Sequence, residues 1–317
     1  MAAAGNAGRV RPFEHEPEPH VTRHRTTARS ILAVACLAGV LAWTATASAA
    51  RSGVPRLIFP VVGTATYIND FGAPRGQGRH EGNDMMAAKK TPVVAVEAGT
   101  VTFWTTSARA GCMLYLHGAS GTTYLYIHLN NDRTMANDNT GGCKQGVSFA
   151  PGLKSGQKVE AGQLVGYVGD SGDADGVAAH LHFEVHPKDG PAVSPYKYLR
   201  AAQKLLFAAA PGSPFTLALN GTVVQANDGA LELDVASLSR YPGGQRVARV
   251  GRTVELAVPP DVAVFNPVGA LVAAAKLAGT KPGQLAQVWT ERAETTLDAQ
   301  LGQPLVLAAQ KVVLKAS

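Results

Sequence analysis

A chain of 317 residues with 46% hydrophobic and 16% charged residues can bury a real core, in one large domain or two modest ones. Its 34 glycines and 19 prolines, with few charges, speak against a coiled coil or wholesale disorder and suit many short strands joined by turns. The net charge of +6 is mild, and no Lys/Arg cluster is interleaved with aromatics, so nothing points to nucleic acid as a partner.

Residues 1–50 read as an export segment. A polar head ends in Arg23, Arg25 and Arg29, an apolar run follows from Ile31 to Trp43, and small residues close on Ala47-Ser48-Ala49. Basic head, apolar middle and A-x-A tail are the parts of a secretory signal. The competing reading is an uncleaved anchor, because the 21 uncharged residues between Arg29 and Arg51 are enough to span a bilayer. Its basic flank would stay cytoplasmic. A lipid-modified Cys36 fits less well, since only Ile31 and Leu32 are clearly apolar before Ala33-Val34-Ala35-Cys36. Signal and anchor alike place everything after residue 50 outside the cytoplasm, with the membrane a partner only for the anchor. Cleavage after Ala49 leaves 24 basic against 20 acidic side chains, a net +4 that favours an anionic surface and equally fits an ordinary basic protein.

The mature chain retains two cysteines, Cys112 and Cys143, and two cysteines in an exported chain usually pair. The bridge would close 30 intervening residues, including the Gly/Asn/Asp-rich stretch from Asn130 to Gly142. On the chain-entropy model such a closure stabilises by roughly 3–4 kcal/mol.

From Leu57 to about Tyr198 short apolar alternations are punctuated by glycine, and long helical periodicities are missing. Strands are expected at Val93–Val96, Gly99–Trp104, Met113–His117, Thr122–Leu129, Gln163–Val168 and His180–Val185. Residues 51–203 therefore form an all-β domain. Ala201–Ala210 is a short helix or linker, and Pro211-Gly212-Ser213-Pro214 breaks the chain. Residues 204–317 form a second β domain, with strands at Phe215–Leu219, Thr222–Gln225, Leu231–Val235, Thr253–Val258, Gln284–Thr290 and Pro304–Leu314. A helix is expected at Val268–Leu277. The size and pattern suit a small, closed or partly open β-barrel of the OB-like kind. This region holds no histidine, no cysteine and no clustered acids.

Chemistry concentrates in the first domain. Three of the nine histidines lie in the export segment, and the other six are His80, His117, His128, His180, His182 and His186. In His80-Glu81-Gly82-Asn83-Asp84 an imidazole and a carboxylate four positions apart can converge if the segment turns at Gly82. In His180-Leu181-His182-Phe183-Glu184-Val185 the alternation gives Leu181, Phe183 and Val185 to the core and puts His180, His182 and Glu184 on the other face. Two imidazoles side by side on a pleat make a good wall for a metal. The strand Tyr124-Leu125-Tyr126-Ile127-His128-Leu129 is expected to send Tyr124, Tyr126 and His128 to one face. Glu184 is read as a solvated carboxylate or an orienting partner for a ligand imidazole. His117 and His186 fall at the surface or behind the ligands. Asp170, Asp173 and Asp175 with their glycines lack the closing glutamate of a calcium loop and read as a turn.

Together His80-x-Gly82-x-Asp84, Tyr126-x-His128-Leu129 and His180-Leu181-His182-Phe183-Glu184 resemble the lysostaphin-like (LytM-like) zinc metalloendopeptidases. The flanks agree: Asp84-Met85 runs into Thr91-Pro92-Val93-Val94-Ala95, and Gln157-Lys158-Val159-Glu160-Ala161-Gly162-Gln163 leads to Val168-Gly169. The resemblance covers about residues 58–200. It implies an antiparallel peptidase sheet, one Zn2+ held by His80, Asp84 and His182, and catalysis by His128 and His180. It also implies a groove rimmed by loops, the disulfide loop among them, with peptidoglycan peptides as substrate; the net +4 of the mature chain, and not the resemblance, is what would favour anionic wall polymers as a further partner. Two alternatives stand beside this reading. One is a non-catalytic scaffold or activator on the same fold, against which the five retained residues argue. The other is a secreted zinc peptidase acting on proteins.

Overall fold

The computed structural model describes residues 53–76, 78–304 and 306–316, so the expectations for the export segment lie outside the described residues. Six antiparallel strands form the first sheet. Their spatial order is Asn83–Met86, His180–Pro187, Thr122–Leu129, Gly111–Gly118, Gly99–Ser107 and Lys158–Val159. The alternation of their sequences gives one face to the core: Val101, Leu114, Leu116, Tyr124, Tyr126, Leu181, Phe183 and Val185 are all fully buried. Leu57, Phe59 and Val61 from the segment before the first strand pack into the same cluster, with Phe149, Val165 and Val168. Each such side chain stabilises by roughly 1.5–3 kcal/mol. A separate pair, Pro92–Val94 with Leu164–Tyr167, lies beside this sheet in the sequence regions expected to be strands.

Cys112 and Cys143 are bridged, tying the strand Gly111–Gly118 to the end of the Asn130–Gly142 loop. A buried ion cluster secures the other side of that loop. Lys89 Nζ donates to Asp132 Oδ2 at 2.5 Å and lies 2.8 Å from Asp170 Oδ2, while Asp132 Oδ1 accepts the backbone N–H of Asp138 and of Asn139. Asp170 is thus a buried ion-pair partner rather than only a turn residue.

A second, mostly antiparallel sheet holds the C-terminal region. Its order is Gln245–Ala257, Ala230–Tyr241, Pro214–Asn227, Leu285–Thr290, Ala309–Leu314, Ala263–Phe265 and Leu271–Val272, with Ala263–Phe265 parallel to Ala309–Leu314. The sheet curls until the Ala257 N–H donates to the Leu307 carbonyl at 2.9 Å, beside a parallel bridge from Ala257 to Ala308. The two strands expected at Phe215–Leu219 and Thr222–Gln225 are one, Pro214–Asn227, with its register shifted after Asn220.

The helix expected at Val268–Leu277 is not formed. Asn266 and Gly269 turn the chain so that Leu271–Val272 pairs with Val264 and Phe265, and only a 3-10 turn, Ala274–Gly279, follows. The Ala/Leu-rich run has a single fully buried residue, Leu277, and so no apolar stripe to hold a helix down. Helix Tyr196–Ala201 ends where a helix or linker was expected, and Leu205–Ala209 continue as an irregular but buried segment. Ile58, Val62 and Val94 join the hydrophobic cluster of the second sheet, so the two sheets share packing. Among the described residues no helix is long and apolar enough to cross a membrane.

Candidate active site

The face of the first sheet opposite its core carries the site. His180, His182, Glu184 and His186 line a groove there, while the intervening Leu181, Phe183 and Val185 fill the core, as the alternation requires. The register puts His182 opposite Asp84 on one neighbouring strand and opposite Ile127 on the other. His80 precedes a bend at Gly82 that turns its buried ring back towards Asp84. A Cβ on Gly82 would lie 2.6 Å from both His182 Nε2 and the Phe183 carbonyl, so the bend needs a residue without a side chain.

Three donor atoms meet here. His80 Nε2 lies 2.9 Å from His182 Nδ1 and 3.1 Å from Asp84 Oδ1, and His182 Nδ1 lies 3.0 Å from the same oxygen. The outer nitrogens are engaged elsewhere. His80 Nδ1 faces the Asp70 carbonyl at 3.0 Å and His182 Nε2 faces Glu184 Oε1 at 2.9 Å. Each outer nitrogen therefore carries the proton, and the inner nitrogens turn lone pairs towards one another and towards a carboxylate oxygen. Such an arrangement is repulsive unless a cation or an extra proton lies within it. Two imidazoles and one carboxylate are the protein share of a catalytic zinc site that keeps a position open. Asp84, His80 and His182 thus fit the metal that their spacing suggests.

The electrostatics follow from the same contacts. Burial disfavours a charged His182, but the hydrogen bonds that the charged ring donates to Asp84 and Glu184 outweigh it and raise its pKa to about 9. Burial likewise opposes ionisation of Glu184, yet the His182 and His186 bonds hold it down at about 2. Glu184 is buried and accepts from both histidines, His186 Nε2 at 2.7 Å, so it orients a ligand imidazole and is not a solvated carboxylate. His186 stands behind it. His117 bonds Thr123 Oγ1, away from the groove. Asp84 is held far below the carboxylate range by His182 and His80 despite its burial, and its second oxygen accepts from Arg75 Nη2 at 2.7 Å.

His128 reaches the groove by a route that alternation did not show. Tyr124 and Tyr126 point into the core, Leu125 and Ile127 line the groove, and simple alternation would bury His128 with the tyrosines. Instead His128 has φ of 61°, and this left-handed turn brings its ring to the groove side. A non-glycine residue held there costs on the order of 1–3 kcal/mol, strain of a kind that clusters at active sites. The expectation that His128 shares the face of Tyr124 and Tyr126 is therefore corrected.

His128 and His180 are anchored alike. Each Nδ1 faces a backbone carbonyl, Ser171 at 2.8 Å and Ala178 at 2.9 Å, which leaves each Nε2 as an acceptor. Their ring centroids are 5.0 Å apart, and His180 Nε2 lies 3.8 Å from Asp84 Oδ1. Burial, only partly offset by the Ser171 carbonyl, lowers the pKa of His128 to about 4, so its ring is neutral at neutral pH.

The groove has a volume of about 760 Å3, and its rim carries Arg75, Arg79, Arg109 and Asp173. Within the segment closed by the disulfide, Tyr115, Leu125, Ile127 and His128 line the groove, whereas the Asn130–Gly142 loop, expected to form one rim, does not. Asn137 and Asn139 of that loop instead bond Asp175, bracing the turn that carries Asp173. Asp70, Arg75 and Ser171 escaped the sequence reading because their contacts with the site join residues that no repeating pattern marks.

A donor triangle flanked by two further histidines in an open groove is the equipment of a mononuclear metallohydrolase. Residues 78–140 and 145–195 match the family model "Peptidase family M23", in agreement with the resemblance carried by the three lysostaphin-like motifs. The chain is 29% identical over 156 residues to an L-Ala--D-Glu endopeptidase of Bacillus subtilis (strain 168), a match spanning 46% of this chain and 43% of that relative. Less than half of the relative's length is therefore matched. A putative glycyl-glycine endopeptidase lytM from Ruminococcus gnavus aligns at 27% identity over 46% of this chain and 59% of that one, with a TM-score of 0.36. The catalytic domain of lysostaphin from Staphylococcus simulans aligns at 25% identity over 43% of this chain and 92% of that one, with a TM-score of 0.33.

Proposed function

We propose that the chain is an exported zinc metalloendopeptidase that hydrolyses cross-links or stem peptides of bacterial peptidoglycan. The observation that carries this is the donor triangle of His80 Nε2, Asp84 Oδ1 and His182 Nδ1, with His128 and His180 beside it. His80, Asp84 and His182 would hold a zinc ion, and the chemistry it would supply there is Lewis acidity towards a carbonyl and a water nucleophile at neutral pH. His128, neutral and fixed by Ser171, accepts a proton at Nε2 and can return it to the departing amine. His180, fixed by Ala178, presents the other Nε2; once protonated it steadies negative charge developing on the carbonyl oxygen. Arg75 anchors the free oxygen of Asp84, and the arginines of the rim suit the carboxylates of wall peptides.

In this reading residues 1–50 direct export, residues 51–203 carry the chemistry, and residues 204–317 form a small OB-like barrel closed near Ala257 and Ala308. Digestion of purified peptidoglycan, with mass analysis of the fragments, tests the proposal. Peptide-bond cleavage that stops on chelation and returns with zinc is expected. Release of nothing by the zinc-loaded protein would refute it and leave the scaffold alternative, and cleavage of proteins alone would favour the general peptidase.

A further inference from the structure

A second cleft, of about 540 Å3, opens between the two sheets and shares no lining residue with the groove. Lys90 and Tyr167 contribute one wall, and the hairpin residues Arg240, Gln245 and Arg246 contribute the other. No Asp or Glu lines it. Arg240 and Gln245 stand directly opposite each other across the hairpin. Both hold buried donors with no hydrogen-bond partner, Arg240 at Nε and Gln245 at Nε2. The Gln245 amide is not misassigned, because its oxygen already accepts the Ala208 N–H at 3.3 Å. Lys89, also on the wall, is committed to Asp132 and Asp170, and Lys90 Nζ donates to the Arg133 carbonyl at 2.6 Å, but the charges of Arg240 and Arg246 have no carboxylate to meet within the cleft.

A buried donor without a partner is costly, more so when charged, so two at one place with excess positive charge mark a position for an acceptor-only group. An oxyanion meets that description: it offers several acceptor atoms to the donors gathered on the hairpin wall. The volume exceeds what one phosphate group needs and suits a ligand continuing beyond it.

We propose that this cleft is a phosphate-binding site whose natural occupant is a phosphodiester unit of an anionic polymer, bridging the peptidase sheet and the C-terminal sheet. The choice of polymer over free phosphate rests on the exported, wall-directed reading above; the site itself does not.

Calorimetric titration of the zinc-loaded full chain with inorganic phosphate and with a glycerol-phosphate oligomer tests it, with a neutral polyol as control. Saturable one-to-one binding of the oligomer, tighter than that of phosphate, is expected. Arg240→Gln should weaken it by ~10-fold or more and Gln245→Leu several-fold, with zinc content and peptidase activity on a small peptide unchanged. Arg79→Gln, in the groove, should leave it intact. Binding of neither anion, or binding indifferent to both cleft variants, overturns the site. Equal or preferential binding of phosphate overturns the polymer. Gln245→Leu adds no charge change and decides the matter should Arg240→Gln fail to fold. Because the readout is binding, loss of the site and loss of the peptidase reading are separable.

Discussion

Two histidines two residues apart on one strand face meet different partners through their far nitrogens. His182 Nε2 meets a carboxylate and His180 Nδ1 meets a carbonyl, so the first presents Nδ1 to the triangle and the second presents Nε2 beside it. His182→Ala should therefore empty the site, since two remaining donors hold zinc poorly. His180→Ala and His128→Ala should keep the metal and lose roughly 10²–10⁴-fold in turnover, the usual contribution of a positioned acid–base group. Metal content measured beside rate decides it: zinc lost from His180→Ala but kept by His182→Ala would reverse the assignment. Gly82→Ala should also cost metal, by driving a methyl into His182 Nε2 and the Phe183 carbonyl. His128 adds a pH signature. Its folded pKa of about 4 lies below the unfolded value near 6.5, so between those values the unfolded chain binds a proton that the folded chain refuses. The neutral ring's contribution is complete above pH 6.5 and is lost as pH falls towards 4, by about 3 kcal/mol at most. Urea unfolding of the metal-free protein at pH 7 and pH 5 should show the loss, and His128→Gln should flatten it. An equal pH slope in the variant would remove His128 as its cause.

At the scale of elements, legibility depended on whether burial followed a simple period. The strand expected at His180–Val185 had its two faces assigned correctly because core and groove faces alternate without interruption, although it runs on to Pro187, and the motif at Gly82 was legible because the bend demands glycine. His128 could be named but not oriented, since the left-handed φ that moves it is set by the surrounding chain: its N–H donates to the Ala110 carbonyl and its ring is held by Ser171. The first half of strand Gln245–Ala257 was invisible for a different reason. Val247 is its one buried residue before Val254, so pairing with Ser237–Arg240 holds it and not an apolar face. The disulfide was legible from compartment and count, but its role was not. It fastens a loop that braces the Asp173 turn through Asn137, Asn139 and Asp175, and Asp173 Oδ1 lies 3.7 Å from His128 Nε2. Cys112→Ser with Cys143→Ser should thus lower stability by roughly 3–4 kcal/mol while zinc affinity changes little, because no metal donor lies in the loop. Denaturant midpoints and zinc titration of the double variant check both halves. A large fall in zinc affinity in the folded variant would mean that the loop shapes the donor triangle itself.

For the whole molecule, the question is how far the peptidase sheet depends on the sheet that follows it. All five proposed site residues precede position 183, which argues that a chain ending at Gln203 keeps its chemistry. The packing argues that it does not keep its stability. Ile58, Val62 and Val94 are buried in the cluster of the C-terminal sheet, Leu164 packs against that cluster, and Leu205–Ala209 lie in it as well. Removing residues 204–317 would return three aliphatic side chains to water at roughly 1.5–3 kcal/mol each, a large part of the 5–15 kcal/mol that holds a typical domain together. The shortened chain is therefore expected to be close to unfolded without metal at 25 °C and to be rescued by zinc, which binds only the folded form and stabilises it in proportion to the logarithm of its concentration. Zinc-loaded and cold, it should still cut a small soluble peptide at a rate within a few-fold of the full chain. Unfolding midpoints with and without zinc, beside that rate, separate the two effects. A shortened chain as stable as the parent would show that the shared packing contributes nothing. One that folds and binds zinc yet leaves the small peptide intact would place part of the catalytic groove beyond residue 203.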